Sequence, residues 1–484
     1  MSPTLILLCV AAYSALLFYV VWRTSRNADN ESYFIGNRSS KWYLVAYGMI
    51  GASLSGVTFM SVPGVVGKAN FSYMMVVFGY LFGYAIIATV LLPLYYKLNL
   101  TSIYSYLESR FGSTSYKTGA FYFILSRTIG ASFRLYIVVN VLQTFIFDAW
   151  GVPFFITVAI FIALILLYTY KGGVKTIVWT DTLQTSFMLL AVVISVILIS
   201  QKMNLSFSGL LNAVHEKGYD QIMITDWKSK GYFLKHFFGG MFITIAMTGL
   251  DQEMMQKNIS VRTLKDSQKN MFSFSFVLVF INLLFLFLGA LLYLYADSVH
   301  LAIPGKTDDL FPVVALNYLG FFAAIFFIIG LISAAYPSAD GALTALTASF
   351  CIDFLGMNKS KAGEEEKKKT RIKVHLTFAA ILLLIIIIFR IINNDAVITE
   401  LFTVAGYTYG PLLGLYAFGV ISKRSVNDKF VPLICIISPL ICYFLNTYSK
   451  NLFNGYQFGF ELIILNGLIT ALGLFGISKA VVRN

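Results

Sequence analysis

Seven charged residues stand inside long apolar stretches of this chain: Arg127, Arg134, Asp181, Asp251, Glu253, Asp340 and Arg390. An ionised side chain at membrane depth is costly, so it faces a cavity or a partner. Arg127 and Arg134 are seven residues apart, close to two helical turns, and share one helix face. Two guanidiniums placed there would grip a carboxylate bidentately. The competing arrangement has one or both neutralising an acid such as Asp181. Asp181 and Asp340 are carboxylates able to hold a monovalent cation or to relay a proton. Arg390 stands near the end of its apolar stretch and is expected to snorkel, and Glu253 to lie at the interface for the same reason.

Two stretches are too polar and too rich in small residues for ordinary spanning helix. The first is Gly48-Met49-Ile50-Gly51-Ala52-Ser53-Leu54-Ser55-Gly56-Val57-Thr58. Its glycines weaken the helix, and its hydroxyls can re-satisfy freed backbone groups. A broken helix there exposes carbonyls that replace a cation's hydration shell; close helix packing through small residues is the other outcome. The second is Ser333-Ala334-Ala335-Tyr336-Pro337-Ser338-Ala339-Asp340-Gly341. Pro337 has no N–H, so the Ser333 carbonyl loses its helical partner. A free carbonyl, the Ser338 hydroxyl and the Asp340 carboxylate then lie within about two turns, a ligand set suited to Na⁺. A plain proline kink with Asp340 paired to an arginine would account for the same residues.

The elements that position these groups follow from composition. Of 484 residues, 58% are hydrophobic and 12% charged, against about 25% charged in soluble domains, and the mean hydropathy is +0.76. These values exclude a soluble enzyme, a disordered scaffold and a nucleic-acid binder. A net charge of +13 fits Lys and Arg gathered in cytoplasmic loops. Cys9, Cys351, Cys435 and Cys442 lie in or beside apolar runs and are expected to be free, buried thiols. The chain is an all-α polytopic membrane protein. A ruler of roughly 20 apolar residues per pass gives about thirteen candidate transmembrane helices, near 4–22, 43–66, 73–96, 118–146, 152–170, 177–200, 232–256, 271–295, 321–351, 374–392, 397–421, 430–447 and 458–479. With the N-terminus outside, basic residues of the inner segments outnumber those of the outer ones by about three to one. Orientation is therefore N-out and C-in, in a plasma (inner) membrane. The run Gly363 to Lys369 reads as a solvated helical linker. No P-loop is present, which excludes an ATP-driven pump within the chain, and no His-carboxylate or nucleophile constellation supports an enzyme.

Several segments, in order, resemble the sodium:solute symporter family. They are Tyr33-Phe34 with Arg38 and Trp42; Leu54 to Phe59 followed by Pro63-Gly64; Lys97 to Ser102 with Tyr106 to Gly112; Tyr168, Gly172-Gly173 and Trp179-Thr180-Asp181 with Gln184; Asp251-Gln252 with Gln256; and Tyr407 to Leu415. The resemblance implies a LeuT-like inverted repeat of five plus five helices. In that division 1–42 hold an extra helix and inner loop, 43–200 the first repeat, 201–231 an extracellular loop, 232–421 the second repeat and 422–484 two C-terminal helices. No sequence repeat supports the division independently. By position the resemblance assigns the coupling Na⁺ to the carbonyls of Gly51, Leu54 and Ala335 and the hydroxyl of Ser338. Ala339 stands where the family has a second serine. A second ion site, carried by some members on an acid like Asp181 and two hydroxyls, meets Gly341 and Ala342 here; it is absent or rebuilt around Asp181 and Asp340. Ser53, Ser55 and Thr58, with Arg127 and Arg134, are the expected substrate contacts. The function implied is Na⁺-coupled symport of a small polar or anionic organic solute by alternating access, with the bilayer as surroundings and no obligatory protein partner. The alternatives are proton coupling and a transporter-like solute sensor; sensors of that kind carry a kinase extension, whereas this chain ends soon after its last span.

Overall fold

The computed structural model describes residues 3–24, 41–392 and 396–479, with secondary structure alone described for 23–24 and 168–178. The family-like positions Tyr33, Phe34 and Arg38 and the charges Arg26 and Arg483 lie outside the described residues, as do the side chains of Arg23, Tyr168, Lys171 and Lys175.

The described chain is helical almost throughout. Its only sheet among the described residues is the pair β1 (Ser425–Val426) and β2 (Ser478–Lys479), antiparallel with Ser425 opposite Lys479. The principal helices are α1 (Pro3–Thr24), α2 (Trp42–Ser53), α3 (Gly56–Ala69), α4 (Tyr73–Lys97), α5 (Ser113–Leu142), α6 (Phe154–Met203), α7 (Phe233–Gly249), α8 (Gln252–Ile259), α9 (Leu264–Ser298), α10 (Phe321–Ser349), α11 (Glu364–Ile392), α12 (Val397–Thr408), α13 (Gly410–Ile421), α14 (Val431–Thr447) and α15 (Leu462–Gly476). Eight described helices are long and apolar enough to cross a membrane, and eleven spans result if each of three bent pairs is one pass. Phe154–Leu167 and Leu462–Gly476 are shorter apolar helices. The loop expected between 170 and 177 is helical, part of the continuous α6. Two glycines weaken a helix by only about 1 kcal/mol each, and no proline there enforces an end.

The three bends position the site. α2 meets α3 at 57°, α7 meets α8 at 66°, and α12 meets α13 at 48°. The first break has a local cause: Leu54 leaves helical geometry, and Ser55 caps α3 by accepting from the Val57 N–H at 3.3 Å. At the second, Asp251 caps α8, its Oδ1 accepting from the N–H groups of Glu253 at 2.9 Å and Met254 at 3.2 Å. At the third, Pro411 sits in the first turn of α13, where a missing N–H costs nothing. The interruption expected at Pro337 does not occur: α10 runs unbroken through it. Residues 330–349 of this helix are all buried, and one lost backbone bond is tolerated where neighbouring helices surround it.

Packing is tightest where side chains are smallest. α4 crosses α7 so closely that a Cβ on Gly79 would strike the Phe237 carbonyl, and one on Gly240 the Val76 carbonyl; backbone-to-backbone approach of this kind is what small residues permit in lipid. α6 packs against α10 and α2. Cys351, Cys435 and Cys442 are buried free thiols, and Cys9 is partly buried.

Candidate functional site

A cavity lies at the first break. Ala52 to Ser55 with Val57 and Thr58 form one wall, Tyr73, Tyr80 and Tyr84 of α4 another, and Arg127 and Arg134 of α5 a third; Thr244, Thr248, Asn282, Leu401 and Phe402 are among the remaining lining residues. All five expected substrate contacts, Ser53, Ser55, Thr58, Arg127 and Arg134, thus line one space. The Tyr73 and Tyr80 hydroxyls, on that one wall, are 2.9 Å apart.

The two arginines differ in occupation. Arg127 is bound by Glu253 through Nη2, and its Nε lies 3.8 Å from Asp251. Arg134 is buried, its Nε has no hydrogen-bond partner, and among the described residues no carboxylate comes within 4 Å of it. Arg127 is ion-paired; Arg134 faces the cavity with no carboxylate within 4 Å among the described residues. A paired clamp is not what the geometry offers.

The expected ion ligands sit on neighbouring elements. The Gly51 carbonyl is in the last turn of α2, where helical acceptors run out of donors, and Leu54 is the residue that ends it. A Cβ on Gly51 would collide with the Thr185 hydroxyl, which donates to the Asp181 carbonyl at 2.7 Å. Ala335 and Ser338 are buried on α10, which packs on α2 and α6. Ser338 Oγ donates to the Ala334 carbonyl at 3.2 Å, leaving its lone pairs able to accept a cation. Asp340 Oδ1 accepts from the Gly341 N–H at 2.5 Å.

Two side chains lie elsewhere than sequence alone suggests. Glu253 is 3% exposed rather than interfacial: the bend at Leu250-Asp251 turns α8 back into the protein, and a Cβ on Gly341 would run into the Glu253 carboxylate. Lys257 is also 3% exposed; its Nζ donates to Asp181 Oδ2 at 2.8 Å and Glu253 Oε1 at 3.2 Å. Asp181 is therefore paired with a lysine, not an arginine. Arg390 is exposed, with its guanidinium 4.1 Å from the Phe154 ring centre, in keeping with snorkelling.

The unwound backbone of the second break is sealed by Gln252 of a family-like segment and by tyrosines that no motif marked. Tyr95 donates to the Gly249 carbonyl at 2.8 Å and Tyr104 to that of Leu250 at 2.9 Å. Gln252 donates to the Thr101 carbonyl and accepts from the Ile103 N–H, at 2.8 and 2.9 Å. Tyr416 of α13 donates to the Ile103 carbonyl at 2.6 Å. Segment 100–104 is thereby clasped to two of the three bent pairs.

Non-helical backbone around one buried, polar cavity is the architecture of a secondary transporter, because irregular backbone at membrane depth persists only where it lines such a space. Comparison with known proteins narrows the class. The chain matches a solved Na⁺-coupled sialic acid symporter, captured substrate-bound and outward-open, with a TM-score of 0.83 at 21% identity and 98% coverage of both chains. The nucleobase-cation-symport-1 transporter Mhp1 in a closed conformation aligns with a TM-score of 0.55 at 13% identity, over 94% of this chain and 95% of that one. Among sequences, the sodium/sialic acid symporter SiaT of Proteus mirabilis is 24% identical over 95% of this chain and 92% of its own. The sodium-coupled monocarboxylate transporter 1 of Homo sapiens is 24% identical over 84% of this chain and 67% of its own. The model of the sodium:solute symporter family matches residues 33–429, and the chain belongs to that family. It is a sodium-coupled solute symporter with a LeuT-like fold, a transporter rather than an enzyme, with Na⁺ as its coupling ion.

Proposed function

We propose that the protein takes up a small organic solute bearing a carboxylate, in symport with Na⁺, and that Arg134 anchors the carboxylate. The observation that carries this reading is the cavity-facing guanidinium of Arg134, buried and without an acid partner beside an arginine that has two. A buried, unneutralised cation favours an anionic guest, and its planar fork matches a carboxylate. The hydroxyls of Ser53, Ser55 and Thr58 and the amide of Asn282 supply polar contacts for the rest of the solute. The named solutes of the relatives above, sialic acid and monocarboxylates, are both acids, which supports the class without selecting a member.

In this reading Na⁺ sits between the carbonyls of Gly51, Leu54 and Ala335 and the Ser338 hydroxyl. Holding it draws α10 and the broken helix together, and that differential contact couples ion to solute. The tyrosine and glutamine clasp on segment 100–104 is the closed inner barrier of an alternating-access cycle. The finer architecture belongs to the same proposal: thirteen spans when Phe154–Leu167 and Leu462–Gly476 are counted, five-helix repeats over 43–200 and 232–421, 201–231 as an extracellular loop, and the flanks 1–42 and 422–484. So do the N-out, C-in orientation in a plasma (inner) membrane and function without an obligatory protein partner. The test is competition: with purified protein in proteoliposomes, carboxylates should displace a labelled sialic acid or monocarboxylate, whereas the corresponding amides or neutral sugars should not. Equal displacement by neutral analogues would overturn the anionic assignment.

A further inference from the structure

Asp181 has no exposed surface, and a bare carboxylate so placed requires a counter-charge. Lys257 Nζ supplies it at 2.8 Å from Oδ2, while Oδ1 has no hydrogen-bond partner. Lys257 belongs to α8, beyond the second break, and Asp181 to α6, so the pair ties two separate elements. The same ammonium reaches Glu253, which binds Arg127, whose Nε lies 3.8 Å from Asp251. Two bases, Arg127 and Lys257, serve three acids, Asp181, Glu253 and Asp251. The Asp181 end of this chain of ion pairs abuts the broken helix: a Cβ on Gly51 would stand 3.4 Å from the Asp181 carbonyl oxygen.

We propose that Lys257 is a built-in counter-ion that takes the cation position at Asp181, so that the protein binds a single Na⁺. A second Na⁺ at Asp181 would set two like charges competing for one carboxylate. A compact ammonium is a suitable substitute for a metal cation because it is a point charge with freely rotating donors. Removing that ammonium leaves Asp181 as an unpaired buried acid beside backbone and hydroxyl oxygens, and a second Na⁺ becomes the group that neutralises it. The inference rests on sodium-coupled symport and deepens it by fixing the ion count.

The experiment is equilibrium binding of ²²Na⁺ to the purified full-length protein without organic solute, read as ions per protein. The wild type should bind one. Lys257→Met, which removes the charge at similar length, should bind two if it folds, with the Na⁺ Hill coefficient rising above one. Lys257→Arg keeps a cation and should bind one, and the neutral pair Asp181→Asn with Lys257→Met should also bind one. Two ions on the wild type, on the Arg variant or on the neutral pair would overturn the proposal, as would one ion on a monodisperse Lys257→Met protein. Should Lys257→Met not fold, the other three counts still decide. A wild type that binds no Na⁺ would strike at sodium coupling itself rather than at the role of Lys257.

Discussion

Replacing Arg134 separates recognition from architecture more cleanly than any other change in the cavity. Lys at 134 retains the positive charge but cannot present two parallel N–H donors to one carboxylate. The loss is one hydrogen bond to a charged partner, about 1.5–3 kcal/mol. At about 1.4 kcal/mol per decade, apparent solute affinity should fall about 10- to 150-fold. Arg134→Ala removes the anchor altogether, and the loss should reach about 2–5 kcal/mol. Neither change strands an acid, because none within 4 Å among the described residues depends on Arg134, so thermal stability without solute should hold. Arg127→Ala is the contrasting case. It leaves Glu253 without one of its two cations, and breaking a buried pair costs about 3–5 kcal/mol, so this protein should melt early before any transport defect can be measured. The assay is Na⁺-driven uptake of a labelled carboxylate in proteoliposomes, with melting curves taken on the same preparations. Unchanged affinity in Arg134→Lys and Arg134→Ala, or a stability loss equal to that of Arg127→Ala, would refute the assignment.

Ser338→Ala should raise the Na⁺ concentration for half-maximal uptake while solute affinity at saturating Na⁺ is preserved; unaltered Na⁺ dependence would show that the ion sits elsewhere. Gly51→Ala should abolish uptake through collision with the Thr185 hydroxyl, and adding Thr185→Ala should restore part of it; no rescue in the double variant would remove this contact as the cause. Gly341→Ala places a methyl group against the Glu253 carboxylate and should destabilise the protein by disturbing the Arg127 and Lys257 pairs, visible as a lowered melting temperature. On the polar segment before α7, Asp220 lies 2.7 Å from His215 Nδ1 and holds the imidazole above its ordinary value, first through the hydrogen bond and then through charge. Because the folded value is raised, that contact contributes fully below the unfolded value and is lost as pH rises through the folded one; the ring's NMR titration should return to the ordinary range in Asp220→Asn.

Five of the residues lining the cavity were legible from local chemistry. Hydroxyls at a glycine-rich break and arginines two turns apart carry their own spacing, and Ser53, Ser55, Thr58, Arg127 and Arg134 meet where that spacing puts them. What decided their roles was tertiary. Glu253 and Lys257 sit where a straight seventh span would reach the interface, and only the 66° bend at Asp251 turns them inward. The signal for that bend was present in Gly249-Leu250-Asp251, a π-helical end followed by a capping acid, but its direction was not. The partners of Tyr95, Tyr104 and Tyr416 are backbone carbonyls some 150 to 310 residues away, and no periodicity encodes such contacts. Pro337 shows the reverse failure: a strong local breaker was overruled by burial on every side of α10.

Solute accumulation under an imposed Na⁺ gradient tests the central claim most directly. Proteoliposomes with Na⁺ outside and K⁺ inside, at equal pH and clamped potential, should concentrate a labelled sialic acid or monocarboxylate above its external level, and should cease to do so when Na⁺ is equal on both sides or when Arg134 is Ala. Equal accumulation driven by a proton gradient without Na⁺, or concentrative uptake that survives loss of Arg134, would contradict the account.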